Sequence, residues 1–196
     1  MSEHSLTSPF RSGRTASGCG DGAGRGDTGA VTSWTLVDSP VDPLLLAADD
    51  DGLSAVWFSP HKGVEQAERT SGGDWRRDDD HPVLVAARTQ LAEYFAGERT
   101  AFHLPLAPRG TGFQLRVWER LRAIPYGTTR SYGAIAAELG LDPGASRAVG
   151  LANGANPLSI VVPCHRVVGA DGSLTGFGGG LPRKRFLLDL EADLLF

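Results

Sequence analysis

The chain changes its hydrophobic rhythm once, near Ala107-Pro108-Arg109-Gly110, and that change limits what it can fold into. Before this point, short apolar runs alternate with turn residues. Ser33 to Val37 and Leu44 to Ala48 read as strands, parted by Ser39-Pro40-Val41-Asp42-Pro43. A third strand is expected from Leu53 to Phe58, after Asp49-Asp50-Asp51-Gly52, which makes these strands hairpins of an antiparallel sheet. Residues 59–80 are polar and rich in Gly and Asp, the composition of a long surface loop. Pro82 then opens a helix with Leu84, Ala87, Leu91 and Phe95 at helical spacing, and Gly97 stops it. Phe102 to Leu106 is expected to return to the sheet. Residues 31–107 therefore read as an α+β domain, its helix packed on an antiparallel sheet.

Residues 108–196 read as mostly helical. Phe113, Val117, Leu121 and Ile124 mark one helix face, ended by Pro125-Tyr126-Gly127. Ser131 can cap a second helix carrying Ile135, Ala136 and Leu139, and Gly140 turns the chain. Asp142 and Pro143 are good opening residues for a third helix, expected to run to about Asn153. Two short helices joined by a tight glycine turn match a helix-turn-helix. A last helix starts near Leu181-Pro182 and is expected to present Phe186, Leu187, Leu190 and Leu194. The first 30 residues, dominated by Gly, Ser, Thr, Arg and Asp without apolar periodicity, read as disordered.

No apolar run approaches the roughly 20 residues of a membrane span, and the N-terminus lacks the apolar core of a secretory signal. Two distant cysteines, Cys19 and Cys164, make no disulfide framework and fit a reducing cytoplasm. No metal-ligand spacing occurs, so neither a metal nor another cofactor is expected. The formal charge of −4 is uneven: residues 31–100 hold 6 Lys/Arg against 13 Asp/Glu, residues 101–196 hold 10 against 7. A basic C-terminal half permits an anionic partner such as nucleic acid; ordinary scatter of surface charge gives the same count.

Chemistry concentrates in Pro163-Cys164-His165-Arg166-Val167-Val168, behind the apolar run Ile160-Val161-Val162. A thiolate is the most nucleophilic side chain available, so a cysteine beside a histidine is the place to look for covalent chemistry. The alternative is a small buried cysteine next to a structural histidine. The stretch Ala145-Ser146-Arg147-Ala148-Val149-Gly150-Leu151-Ala152-Asn153-Gly154 is nearly all small residues, so its helix can approach a nucleic-acid groove or a neighbouring helix closely. Gly176-Phe177-Gly178-Gly179-Gly180 is either a loop presenting its backbone to a flat ligand or simply flexible.

Together these residues resemble the O6-alkylguanine-DNA alkyltransferases. The resemblance spans about residues 31–196. It is strongest in Thr129-Arg130-Ser131-Tyr132, Ser146-Arg147-Ala148-Val149-Gly150, Asn156-Pro157, Ile160 to Val168, Gly178-Gly179-Gly180-Leu181 and Glu191. It implies a ribonuclease-H-like N-terminal domain and a C-terminal domain that binds duplex DNA and transfers the alkyl group, with no membrane association. The lesion would be O6-alkylguanine, with O4-alkylthymine left open, and the protein monomeric, with cooperative assembly on DNA left open. The alkyl group would pass irreversibly to Cys164, so each molecule repairs one lesion and is spent. His165 would activate the thiol through a water, held by Glu191. Because neighbours on an extended segment point to opposite sides, His165 need not touch Cys164.

The resemblance also distributes roles at the DNA. The base must leave the stack before its O6 substituent is reachable. A minor-groove helix-turn-helix would present Ser146, Arg147, Ala148 and Gly150, with Arg147 filling the vacated space. Tyr132 would help rotate the nucleotide and bond the base. Asn156 would join the helix-turn-helix to the active-site segment. Pro163 and Phe177 would line the pocket, the carbonyls of Cys164 and Val167 would accept from the guanine amine, and the Gly178 N–H would face O6. Phe177 stands where some members have tyrosine, and the zinc clusters of some relatives have no counterpart here. Two other functions compete: a lesion-binding module without transfer, which shares the scaffold but lacks the reactive cysteine, so that Cys164 argues against it, and a cysteine hydrolase using Cys164, His165 and Glu191.

Overall fold

The computed structural model describes residues 31–59 and 75–193. Cys19, the 30-residue N-terminal segment, most of the expected 59–80 loop and Leu194 lie outside the described residues. Strands β1 (Thr32–Val37), β2 (Leu44–Asp49), β3 (Gly52–Phe58) and β4 (Trp75–Arg77) form one sheet in the order β3-β2-β1-β4. The first three are antiparallel, as expected; β4 pairs parallel to β1, with Thr32 opposite Trp75. This edge strand falls inside the stretch read as loop.

Strand β2 is buried at every position, because both sheet faces are covered. Leu44, Leu46 and Ala48 face the main core with Leu84, Ala87, Leu91 and Tyr94 of helix α1 (Pro82–Phe95). Leu45 and Ala47 face a smaller cluster with Trp34 and Ala55, walled by Trp57 and Trp75, whose rings stack 6.1 Å apart. Helix α1 starts on Pro82 without a side-chain cap. It ends where Gly97, at φ 78°, turns the chain left-handed and its N–H bonds the Tyr94 carbonyl.

Phe102 to Leu106 does not form a strand. Only Leu106 bridges to Leu53, and the Leu53 N–H donates to the Pro105 carbonyl at 2.8 Å. A proline within the segment removes one donor from any longer ladder. Strand β3 uses the same exposed edge again: Val56 bridges to Leu158, donating to the Pro157 carbonyl and accepting from the Ser159 N–H. The sheet edge thus carries the chain that leads into the Pro163-Cys164-His165 stretch.

The C-terminal half begins with helix α2 (Gly112–Arg122), opened by a capping box in which Thr111 and Gln114 satisfy each other's backbone N–H. Ser131 caps α3 (Tyr132–Glu138), accepting from the Ala134 N–H at 3.1 Å. The third expected helix is split. A 3₁₀ turn, Pro143–Ala145, is set by Asp142, whose carboxylate accepts from the Gly144 N–H; helix α4 then runs from Ser146 to Gly154. Trp118 of α2 donates its indole N–H to the Ala152 carbonyl at 2.8 Å, which fixes α4 against α2. Short strands β5 (Arg130–Ser131) and β6 (Val167–Val168) pair in parallel, and helix α5 (Leu181–Asp193) closes the chain. Its buried side is Lys184, Leu187 and Glu191; Phe186, expected in the core, is 38% exposed. The buried stripe therefore keeps helical spacing but carries two ionisable groups, which an apolar periodicity does not flag.

Candidate active site

The apolar run entering the site is a tight turn. Ile160 is fully buried at φ 71°, a conformation a β-branched residue avoids, at a cost of about 1–3 kcal/mol. Asn156 holds the turn from inside. Its side-chain N–H donates to the Val162 carbonyl at 2.8 Å, and its side-chain oxygen accepts from the Leu158 N–H at 3.0 Å. Cys164–Arg166 then forms one turn of 3₁₀ helix rather than extended chain. All three side chains are buried, and each meets a different environment.

Glu191 is the hub. Its Oε1 accepts from His165 Nε2 (2.8 Å), Arg166 Nη2 (2.8 Å) and the Tyr94 hydroxyl (2.8 Å). Its Oε2 accepts from Arg166 Nε (2.8 Å) and the Gly127 N–H (3.0 Å). Burial alone would raise this carboxyl, but the bonds and charges of His165 and Arg166 outweigh it and hold its pKa at about 2. An ionised carboxylate only accepts, so the hydrogen between Glu191 and His165 belongs to Nε2. Burial pushes the imidazole pKa down against the pull of Glu191, which favours the neutral ring. Nδ1 therefore carries a lone pair. It is buried, and no described residue bonds it. The ring is a base with its vacant nitrogen turned away from the group that orients it.

The Cys164 thiol is 3% exposed. Burial pushes its pKa up to about 11, against a side-chain hydrogen bond with Asn156, nearby backbone N–H groups and the Lys184 cation. Lys184 is itself buried, with its ammonium on the Val167 carbonyl (2.5 Å) and the Thr175 carbonyl (2.8 Å). The Cys164 carbonyl accepts from the Val167 N–H and, at 3.3 Å, from the Asn153 side chain. Both carbonyls expected to read a guanine amine thus already have internal donors.

The remaining expected residues fall in separate places. Tyr132, Ser146, Arg147 and Gly150 line one open groove of about 700 Å³, with Leu151 and Gly176. Arg147 and Ala148 are exposed on α4. The Tyr132 hydroxyl is directed to the carbonyls of Thr175 (2.9 Å) and Gly176 (3.2 Å), so it ties the glycine loop to α3. Asn156 and Gly178 line a second cavity of about 280 Å³ with Trp57, Phe58 and Arg183. Phe177 packs edge-on against Phe58, centroids 5.8 Å apart. Pro163 lies on neither; it lines a third cavity, of about 340 Å³, between Phe102 and Tyr126.

Four residues of the site had no role from sequence. Arg166 was visible only as part of the motif, yet its guanidinium grips both Glu191 oxygens, donates to the Ile124 carbonyl at 2.6 Å and lies 5.5 Å over the Tyr126 ring. Tyr94 belongs to the other half of the chain, 97 residues from Glu191. Lys184 and Asn153 sit on helices whose patterns read as ordinary surface or small-residue packing. An arginine directly after the Cys-His pair is the signal that could have found part of this set; the last helix carries Asp189, Glu191 and Asp193, and its composition does not single out one of them as the partner.

Comparison with known proteins accounts for both halves of the chain. Residues 33–108 match the ribonuclease-like domain of 6-O-methylguanine DNA methyltransferase, and residues 112–193 match its DNA-binding domain. The methylated-DNA–protein-cysteine methyltransferase of Mycobacterium tuberculosis (strain H37Rv) is 52% identical over 158 residues, covering 81% of this chain and 91% of that protein. The protein of the same name from Methanosarcina acetivorans is 49% identical over 160 residues, covering 82% and 98%. Among solved structures, the M. tuberculosis O6-methylguanine methyltransferase superposes with a TM-score of 0.73 at 47% identity, covering 83% of this chain and 94% of that one. The M. tuberculosis OGT in complex with DNA gives 0.73 at 49%, with the same coverage.

Proposed function

The chain belongs to the 6-O-methylguanine DNA methyltransferase family, and from that premise we propose how its own residues carry out the reaction. It repairs DNA by direct reversal, moving the alkyl group of O6-alkylguanine to the sulfur of Cys164. The thiol proton leaves to His165 Nδ1 through a water. The sulfur attacks the carbon on O6, the C–O6 bond breaks, and its electron pair stays on the base, which takes up a proton and departs as guanine. The thioether does not revert, so the protein is consumed one molecule per lesion.

The observation that carries this reading is the neutral, buried His165 beside Cys164, held at Nε2 by Glu191 and vacant at Nδ1. The thiol rests protonated, so the nucleophile forms only when a base and an electrophile are both in place. Lys184 supplies positive charge for the thiolate as it forms. The open groove beside α4 receives DNA, with Arg147 reaching into the space the base leaves and Tyr132 contacting the extruded nucleotide. Asn156 keeps the turn and thiol in register. The guanine amine is read by the Val167 carbonyl, which has a second lone pair, and by the Cys164 carbonyl once its long Asn153 bond yields. Gly178 presents its N–H to O6, Phe177 stiffens the pocket wall, and Pro163 fixes the start of the Cys164–Arg166 turn. The protein acts as a monomer in the cytoplasm, where its thiol stays reduced.

Mass spectrometry after mixing with duplex DNA containing O6-methylguanine tests this directly. One methylene of added mass on the peptide holding Cys164, at no more than one per protein, is expected. An unmodified thiol with tightly bound DNA would support a lesion binder instead. An unmodified thiol with many turnovers would support a hydrolase.

A further inference from the structure

Among the described residues, the N-terminal half of the chain makes one hydrogen bond to the Glu191 carboxylate, from the hydroxyl of Tyr94. Tyr94 lies in the last turn of α1, is fully buried, and donates to Glu191 Oε1, the oxygen that also receives His165 Nε2. Its ring is wedged between Phe95, Phe102 and Tyr126, with centroids 5.4, 5.5 and 6.0 Å away, so the hydroxyl has little freedom to turn elsewhere. Burial and the Glu191 charge raise its pKa, so it keeps its hydrogen and stays a donor at neutral pH.

We propose that Tyr94 is a positioning residue for alkyl transfer: its hydrogen bond to Glu191 Oε1 limits how strongly the carboxylate draws on the His165 Nε2–H, and so sets the basicity of Nδ1. A carboxylate that shares its charge with more donors is a weaker partner for each of them. Arg166 also donates to both oxygens and Gly127 to Oε2, but both come from the same C-terminal half as His165. Tyr94 is the donor on Oε1 that comes from α1. The charged and titratable groups facing the pair are Arg166 and Cys164 on the 3₁₀ turn, Lys184 on α5 and Tyr126 after α2; all remain in place when only the Tyr94 hydroxyl is removed. The inference rests on the alkyl-transfer reading above.

The test is the pH dependence of Cys164 alkylation by free O6-benzylguanine, which needs no DNA. In Tyr94→Phe the carboxylate, with one donor fewer on Oε1, stabilises the imidazolium more strongly. The acidic limb of the rate profile should move up by about half a pH unit, while the plateau stays within about twofold. Tyr126→Phe is the control: its ring packs against that of Tyr94, but its buried hydroxyl bonds no described residue, and its profile should follow the wild type. If Tyr94→Phe loses thermal stability with an unmoved limb, Tyr94 is only a core residue and the proposal fails. Should that variant not fold, 3-fluorotyrosine at position 94 keeps the shape and strengthens the donor. The limb should then move down, and an unmoved limb overturns the proposal. A wild-type protein that never alkylates Cys164 refutes the parent reading instead, so the two failures are distinguishable.

Discussion

His165 Nε2 lies 2.8 Å from Glu191 Oε1, and both side chains are almost completely shielded from solvent. The carboxylate is ionised by five donated hydrogen bonds rather than by water. That makes Glu191 the point where α1, α5, the Tyr126-Gly127 turn and the Cys164–Arg166 turn meet. The site is therefore as much a structural keystone as a chemical one, and its loss should show in stability as well as in rate.

Glu191→Gln should lower the alkylation rate about a hundredfold, because the imidazole loses the partner that fixes its tautomer. It should also destabilise the fold by about 3–5 kcal/mol, since Arg166 is left buried without its counter-charge. The wild-type carboxyl pKa is depressed from 4.5 to about 2. A depressed carboxyl stabilises the fold above its unfolded value and loses that contribution as pH falls through the folded one. Urea midpoints of the wild type should therefore drop between pH 4.5 and 2, and the variant should lack that component of the slope. Parallel slopes would mean that Glu191 is not the group being titrated.

The fold was legible where one side of the chain was apolar at a fixed period: β1 to β3, α1, α2 and α3 lie close to their expected places. It was illegible where non-local contacts decided. Strand β4 is three residues long and exists because Trp75 stacks on Trp57 and pairs beside Thr32, none of which its local sequence announces. Ile160-Val161-Val162 reads only as an apolar run, but Asn156, bonded to the Leu158 N–H and the Val162 carbonyl, makes it a turn. Cys164 and His165 stand out as an adjacent pair, and Glu191 comes only from the family resemblance, since Asp189 and Asp193 lie on the same helix. Tyr94, Arg166, Lys184 and Asn153 were not legible, because a buried polar residue is recognisable only once its partner is in view.

Cys164 gives the opposite pH signature. Its thiol is raised from 9.0 to about 11, so the fold holds its full contribution below pH 9 and loses it as pH rises toward 11. Wild-type stability should decline across that window. Cys164→Ser, and wild-type protein already alkylated on Cys164, should both lack the decline. Equal alkaline slopes in all three would show that the thiol is not held protonated by burial.

Arg147 is exposed on α4 at the edge of the open groove and makes no part of the relay. If it takes the place of an extruded base, Arg147→Ala should slow repair of duplex DNA about tenfold more than reaction with free O6-benzylguanine. Binding to duplex should weaken more steeply with salt in the wild type than in the variant. Equal slowing of duplex and free-base reactions would assign Arg147 to something other than base extrusion.

The mechanism depends most on which nitrogen of His165 is vacant, and ¹⁵N NMR of the labelled imidazole reads that without any reaction. At neutral pH the shifts should mark a neutral ring with hydrogen on Nε2 and a lone pair on Nδ1, in agreement with the bond to Glu191 Oε1. A hydrogen on Nδ1, or a charged imidazolium at neutral pH, would contradict it, because no base would then be available to take the proton of Cys164.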